Sequence, residues 1–147
     1  EMSAFAERAF RTLSGGEQSR ASLARVLAQQ APLLLLDEPT AALDVRHQHG
    51  ALQLARAVAA SGGAALAVLH DLNLAALYAD RIGVMHQGRL VALGPPAAVL
   101  RAELLREVYG LPFVITPHPQ ADALLVLAVP EQEPAGVRGG RDALLVR

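Results

Sequence analysis

Four consecutive leucines, Leu33 to Leu36, run into Asp37 and Glu38 and stop at Pro39. A short continuous apolar run behind a breaker, here Pro32, predicts a parallel strand buried on both faces. A second such run, Ala64 to Leu69, also ends in polar residues, His70 and Asp71. Helical periodicity surrounds these strands. Leu23, Ala24, Val26 and Leu27 form one stripe, with Arg20, Arg25 and Gln29 lying off it. A second helix is predicted over roughly Val45 to Ala60, closed by Ser61-Gly62-Gly63. Asp71 suits the cap of a short helix through Leu72, Leu74, Ala75 and Tyr78. Ile82 to Met85 and Leu90 to Leu93 flank His86-Gln87-Gly88-Arg89 and read as a hairpin. After the break at Gly94-Pro95-Pro96, two short helices are expected, around Ala97 to Leu100 and Glu103 to Tyr109, then strands at Phe113 to Thr116 and Leu124 to Val129. Residues 1–13 are too short and mixed to classify, with Phe5 and Phe10 expected to pack on something upstream. One folded unit over 1–129 is expected, with a flexible tail over 130–147, where Glu, Pro, Gly and Arg dominate. The fold class is α/β.

Composition narrows the partners. At 147 residues the chain has the length of one ordinary domain. Its formal charge of −1 argues against a nucleic-acid binder, which carries a basic excess. With no cysteine, disulfide, zinc-thiolate and thiol-nucleophile chemistry drop out. The 52% hydrophobic content comes in short pieces, none near the ~20 residues that span a bilayer. The start, Glu1-Met2-Ser3-Ala4, does not resemble a signal peptide. A cytoplasmic protein able to dock on a membrane protein is expected.

Three places carry candidate chemistry. Asp37 and Glu38 fall at the carboxyl end of a strand, where open α/β sheets gather their chemistry. Neighbouring strand side chains point to opposite sides, so one carboxylate can face a metal ion and the other a water. Mg²⁺-dependent hydrolysis of phosphate esters uses that division. A charged turn after a buried strand is the plain alternative. Ser14-Gly15-Gly16 opens a helix, and Glu17 three residues on completes a capping box. Converging N–H groups, the helix dipole and the glycines suit a phosphate there, although the same residues also make an ordinary N-cap. His70 can hydrogen-bond a terminal phosphate or an attacking water, or stand as a surface residue.

Taken in order, Leu13-Ser14-Gly15-Gly16-Glu17, Leu33 to Pro39, Ala42-Leu43-Asp44 and His70 resemble the signature loop, Walker B strand, D-loop and switch histidine of the ATP-binding-cassette ATPases. The resemblance covers most of residues 11–100. It implies a P-loop NTPase-like nucleotide-binding domain of parallel core strands and flanking helices, with a small C-terminal hairpin region. ATP and Mg²⁺ are the implied cofactors. By the same resemblance, Asp37 holds Mg²⁺ through water, Glu38 polarises the attacking water as general base, and His70 contacts the γ-phosphate. Ser14, Gly15, Gly16 and Glu17 close over ATP bound to a second ATPase protomer, and Asp44 couples the two sites across the dimer. The family's G-x-x-x-x-G-K-[S/T] loop has no match here, and its glutamine-bearing loop is not recognisable. The chain is thus similar to the C-terminal part of a cassette subunit. Alone it is expected neither to bind ATP tightly nor to hydrolyse it. Leu33 to Leu36 are expected to keep an unpaired edge and bare faces, an aggregation hazard.

The stretch Val68 to Ile82 is similar to importers of haem, ferric siderophores and cobalamin. Its wording from Leu74 to Asp80, with Asp44 to Gln48 and Val114 to Pro119, most resembles the hemin importer ATPases. That implies a peripheral subunit on the cytoplasmic face of the inner membrane, partnered by transmembrane permease subunits and indirectly by a periplasmic haem-binding protein. Alternatives are a ferric-siderophore or cobalamin importer, a DNA-maintenance ATPase, or a non-catalytic interaction module that completes a partner's site. No heptad run supports the DNA-maintenance reading. His47, His49 and His118 invite a metal or haem reading, but His47 and His49 are two apart and share no helical face. Arg138, Arg141 and Arg147 read as a solvated tail.

Overall fold

The computed structural model describes residues 3–130; the tail expected over 130–147 lies, from residue 131 on, outside the described residues. Where the sequence offers a side-chain acceptor, a helix begins. Ser14 caps α1 (Gly15–Ala28) in a full capping box with Glu17. Asp44 caps α2 (Val45–Ala60), and Asp71 caps α3 (Leu72–Tyr78) by accepting from the N–H groups of Asn73 and Leu74. Each acceptor satisfies donors that the first helical turn leaves unpaired. Short 3₁₀ turns at Ser3–Phe5 and Phe10–Thr12 precede α1, and Phe10 remains exposed.

Between these helices run β1 (Leu33–Asp37) and β2 (Ala64–Val68), paired in parallel with Leu35 opposite Leu66 and Asp37 opposite Val68. The sheet has these two strands among the described residues. Leu34, Leu36 and Ala55 form a small core with Leu23, Val26 and Leu27 of α1 and Val58 of α2. The expectation that β1 is buried on both faces is corrected. Leu34 is 2% exposed, whereas Leu33 is 52% and Leu35 67% exposed. Both helices cover the same face, and nothing described covers the other. Only one face is bare, not both, and Leu66 and Val68 of β2 extend it.

The rest of the chain closes on itself. β3 (Ile82–His86) and β4 (Arg89–Gly94) form an antiparallel hairpin with a bulge between Val84 and Met85. Gln87 and Gly88 both take positive φ, 48° and 75°, as a two-residue type I′ turn requires. Then come α4 (Pro96–Val99), α5 (Ala102–Tyr109) and a second antiparallel pair, β5 (Phe113–Pro117) with β6 (Leu124–Ala128). Gly110 ends α5 at φ 74°, the left-handed position that glycine fills without strain. Val99, Leu100, Leu105 and Val126 anchor the core beneath these elements.

Candidate functional site

Parallel pairing brings the carboxyl ends of β1 and β2 side by side. The Glu38 N–H extends the ladder by donating to the Val68 carbonyl at 3.2 Å. Two residues beyond Val68, the His70 Nε2 lies 2.7 Å from Glu38 Oε1. Both side chains face water, the imidazole at 78% and the carboxylate at 47% exposure. Glu38 also sits at φ 45°, in the left-handed region. For a residue without glycine's freedom such backbone costs on the order of 1–3 kcal/mol, and it concentrates at functional sites. Asp37 alternates onto the open face of β1 with Leu33 and Leu35.

The loop that follows is held from within. The Ala41 N–H donates to Glu38 O, and the Leu43 N–H to Thr40 O. Thr40 is buried, and its carbonyl also accepts from Gln48 Nε2 at 3.2 Å. Gln48 therefore ties the Glu38–Asp44 loop to α2, a role its sequence position did not reveal. Asp44 Oδ1 accepts the His47 N–H at 3.0 Å and lies 2.7 Å from His47 Nδ1. The His47 backbone N–H, then its ring, hold the Asp44 carboxyl below its ordinary value.

At the start of α1, the Ser14 N–H donates to Glu17 Oε2 at 2.7 Å, and Ser14 Oγ accepts the Glu17 N–H at 3.4 Å. The Ser14 backbone N–H, then its hydroxyl, lower the Glu17 carboxyl. A Cβ on Gly15 would meet nothing within 4 Å, so this corner is open to an incoming ligand. A Cβ on Gly16 would stand 3.3 Å from the Ala42 carbonyl oxygen. Glycine thus lets the start of α1 pack against the turn leading to Asp44.

The structure brings Glu38 and His70 into direct contact and sets Gly16 beside the Asp44 turn. Two other histidines have local work. His49 Nδ1 lies 2.7 Å from the Tyr78 hydroxyl, and His118 Nδ1 accepts the Gln120 N–H. Among the described residues, no cluster of three or more His, Cys, Asp or Glu side chains could hold a metal ion.

A family model described as ABC transporter matches residues 1–41. The chain is 57% identical over 134 residues to the hemin import ATP-binding protein HmuV of Streptomyces coelicolor, covering 91% of this chain and 47% of that protein. It is 59% identical over 124 residues to HmuV of Rhodococcus jostii, covering 84% and 42%. The chain thus spans about half the length of the curated relatives it matches. Among solved structures, one described as a metal-chelate type ABC transporter in an inward-facing conformation superposes with a TM-score of 0.77 at 24% identity, over 89% of this chain and 53% of that one. The ATP-binding cassette MJ0796, solved as a dimer bound to ADP and Pi, superposes at 0.59 with 33% identity, over 64% and 40%.

Proposed function

From the premise that this chain belongs to the ABC transporter ATP-binding domains, we propose that it works within the ATP-hydrolysing subunit of an importer that powers hemin uptake. The observation that carries the hydrolytic part is the 2.7 Å contact between Glu38 and His70 at adjoining strand ends. A carboxylate there can take a proton from water, and an imidazole on its flank can orient that carboxylate and meet a phosphate oxygen. The hemin assignment draws on relatives named for hemin import at over half identity.

In this reading Asp37 would be the residue that holds Mg²⁺. The donor set suits that ion, which keeps most of its waters and takes one or two carboxylates rather than a protein cage. When bound, Mg²⁺ neutralises charge on the phosphate oxygens. Glu38 would polarise the attacking water as general base, its carboxylate held by the His70 contact. Ser14, Gly15, Gly16 and Glu17 present the open start of α1 to ATP on a second protomer. Asp44, held by His47, lies next to that corner through the Gly16–Ala42 contact. The proposed assembly is a homodimer on permease subunits at the cytoplasmic face of the inner membrane, fed by a periplasmic haem-binding protein. Among the described residues no helix is long and apolar enough to cross a membrane.

The test is Glu38→Gln in the full-length gene product carrying this sequence, reconstituted with its permease. ATP turnover should fall on the order of 10²- to 10⁴-fold while ATP binding persists. Normal turnover in this variant would assign the base elsewhere. Hemin-stimulated uptake into proteoliposomes, compared with a ferric siderophore and cobalamin, tests the cargo.

A further inference from the structure

The start of α2 and the end of α3 each carry a residue with no part in the proposed ATP chemistry, His49 and Tyr78. In the fold they meet. His49, the fifth residue of α2, places Nδ1 2.7 Å from the hydroxyl of Tyr78, the last residue of α3. Their rings pack edge to face, with centroids 5.5 Å apart at 68°. Both side chains are partly buried, so the contact is sheltered from competing water.

At seven residues, α3 is too short to hold its own conformation or direction, because helices under about 12–15 residues are marginal in isolation. Tertiary contacts set its pose. At one end, Asn73 Nδ2 donates to the Val126 carbonyl at 3.1 Å and its Oδ1 accepts the Val126 N–H at 2.7 Å. The other end packs into the core through Ala75, Ala76 and Ala79 and is joined to α2 by the His49–Tyr78 bond. His70 stands immediately before the α3 cap, with an imidazole 78% exposed and therefore little packed around it. The His70 backbone spans the end of β2 at Val68 and the Asp71 cap of α3, so a shift of α3 would be felt at the ring that meets Glu38. The partner helix α2 is capped by Asp44, five positions before His49.

We propose that His49 and Tyr78 are positioning residues for hydrolysis: their bond fixes α3 against α2 and so holds His70 in register with Glu38 and Asp44. This rests on the reading of Glu38 and His70 given above. In the full-length gene product, Tyr78→Phe keeps the ring and deletes the hydroxyl. It should lower kcat about 3- to 10-fold, the effect of one net hydrogen bond, with KM for ATP within about twofold. His49→Ala should do the same, and His49→Asn, whose amide stands near the place of Nδ1, should recover most of the loss. Combining Tyr78→Phe with His49→Ala should be no worse than His49→Ala alone, since both break one contact. Assays run well below every variant's unfolding midpoint separate positioning from stability. Unchanged kcat in Tyr78→Phe and His49→Ala, with active wild type, overturns the proposal. So does a loss confined to the unfolding midpoint. Wild type without ATP turnover overturns the functional reading. Amide exchange then still judges the mechanical claim: Tyr78→Phe should accelerate exchange over residues 70–78, and unchanged exchange overturns it.

Discussion

The two regions of this molecule solve the packing problem differently. From Ser14 to His70 lie all the proposed site residues, yet α1 has no buried residue and the core cluster holds three, Leu34, Leu36 and Ala55, with Leu43, Ala51 and Leu52 buried outside it. From Leu72 to Ala128, seven buried residues form one cluster, with Leu105 at 0% exposure and Val99 and Leu100 at 2%. The first region has ample apolar side chains, but Leu33, Leu35, Leu66 and Val68 lie bare on a two-stranded sheet. A leucine left that exposed forgoes much of the ~1.5–3 kcal/mol that full burial supplies. The site therefore sits on the region with the smaller core cluster, while the second region, for all its larger cluster, also leaves Met85, Leu90, Leu93 and Val114 exposed.

The largest expected effect separates the two cores. Leu105→Ala in the 147-residue chain should cost about 2–5 kcal/mol, because a wholly enclosed leucine leaves a cavity. Leu35→Ala should stay within about 0.5 kcal/mol, as exposed substitutions do. Pulse proteolysis across a urea series, at dilutions where the chain is monomeric, measures both. Equal costs would mean that the open face of β1 is covered in solution.

A middle-sized effect concerns what that open face does to the chain alone. Replacing Leu33, Leu35 and Leu66 together with threonine keeps strand preference while removing the apolar surface. Each change should weaken self-association by roughly tenfold, about 1.4 kcal/mol. Sedimentation velocity across a concentration series reads this directly. Association that persists in the triple variant would move the sticky surface elsewhere, for instance to Leu90 and Leu93 on β4.

Much of this contrast was legible from local chemistry. The capping box at Ser14 and Glu17, the bounds Val45 to Ala60, the Asp71 cap and the hairpin around Gln87-Gly88 are short-range features, set by residues a turn apart. The leucine run predicts burial on both faces because an apolar run records a need for cover, not whether cover is present. The positive φ of Glu38 runs against its sequence, since the residue before a proline is expected in extended backbone. The His49–Tyr78 bond joins positions 29 apart, and the Asn73–Val126 pair positions 53 apart. Periodicity cannot see such contacts: Tyr78 reads as one more apolar position on α3 until the fold brings His49 to its hydroxyl.

The smallest expected effect uses pH to ask whether the first region yields first. Glu17 and Asp44 have carboxyls held below their ordinary values of 4.5 and 3.8, each chiefly by a backbone N–H at a helix start. A depressed carboxyl contributes stability that is fully present above its unfolded pKa. That contribution fades as pH falls below 4.5 for Glu17 and 3.8 for Asp44, through the lower folded values. Acid should therefore loosen the starts of α1 and α2, and amide exchange at Glu17, Gln18, His47 and Gln48 should accelerate in that window. Ser14→Ala should cost about 1 kcal/mol of helix capping. It should nevertheless leave most of the Glu17 depression intact, because the Ser14 backbone N–H, which alanine retains, is the larger cause. Glu17→Gln should flatten the acid response of α1 and leave that of α2, whose cap is Asp44, unchanged. If acid opened both helices equally in Glu17→Gln, the response would belong to the region's thin core and not to its caps.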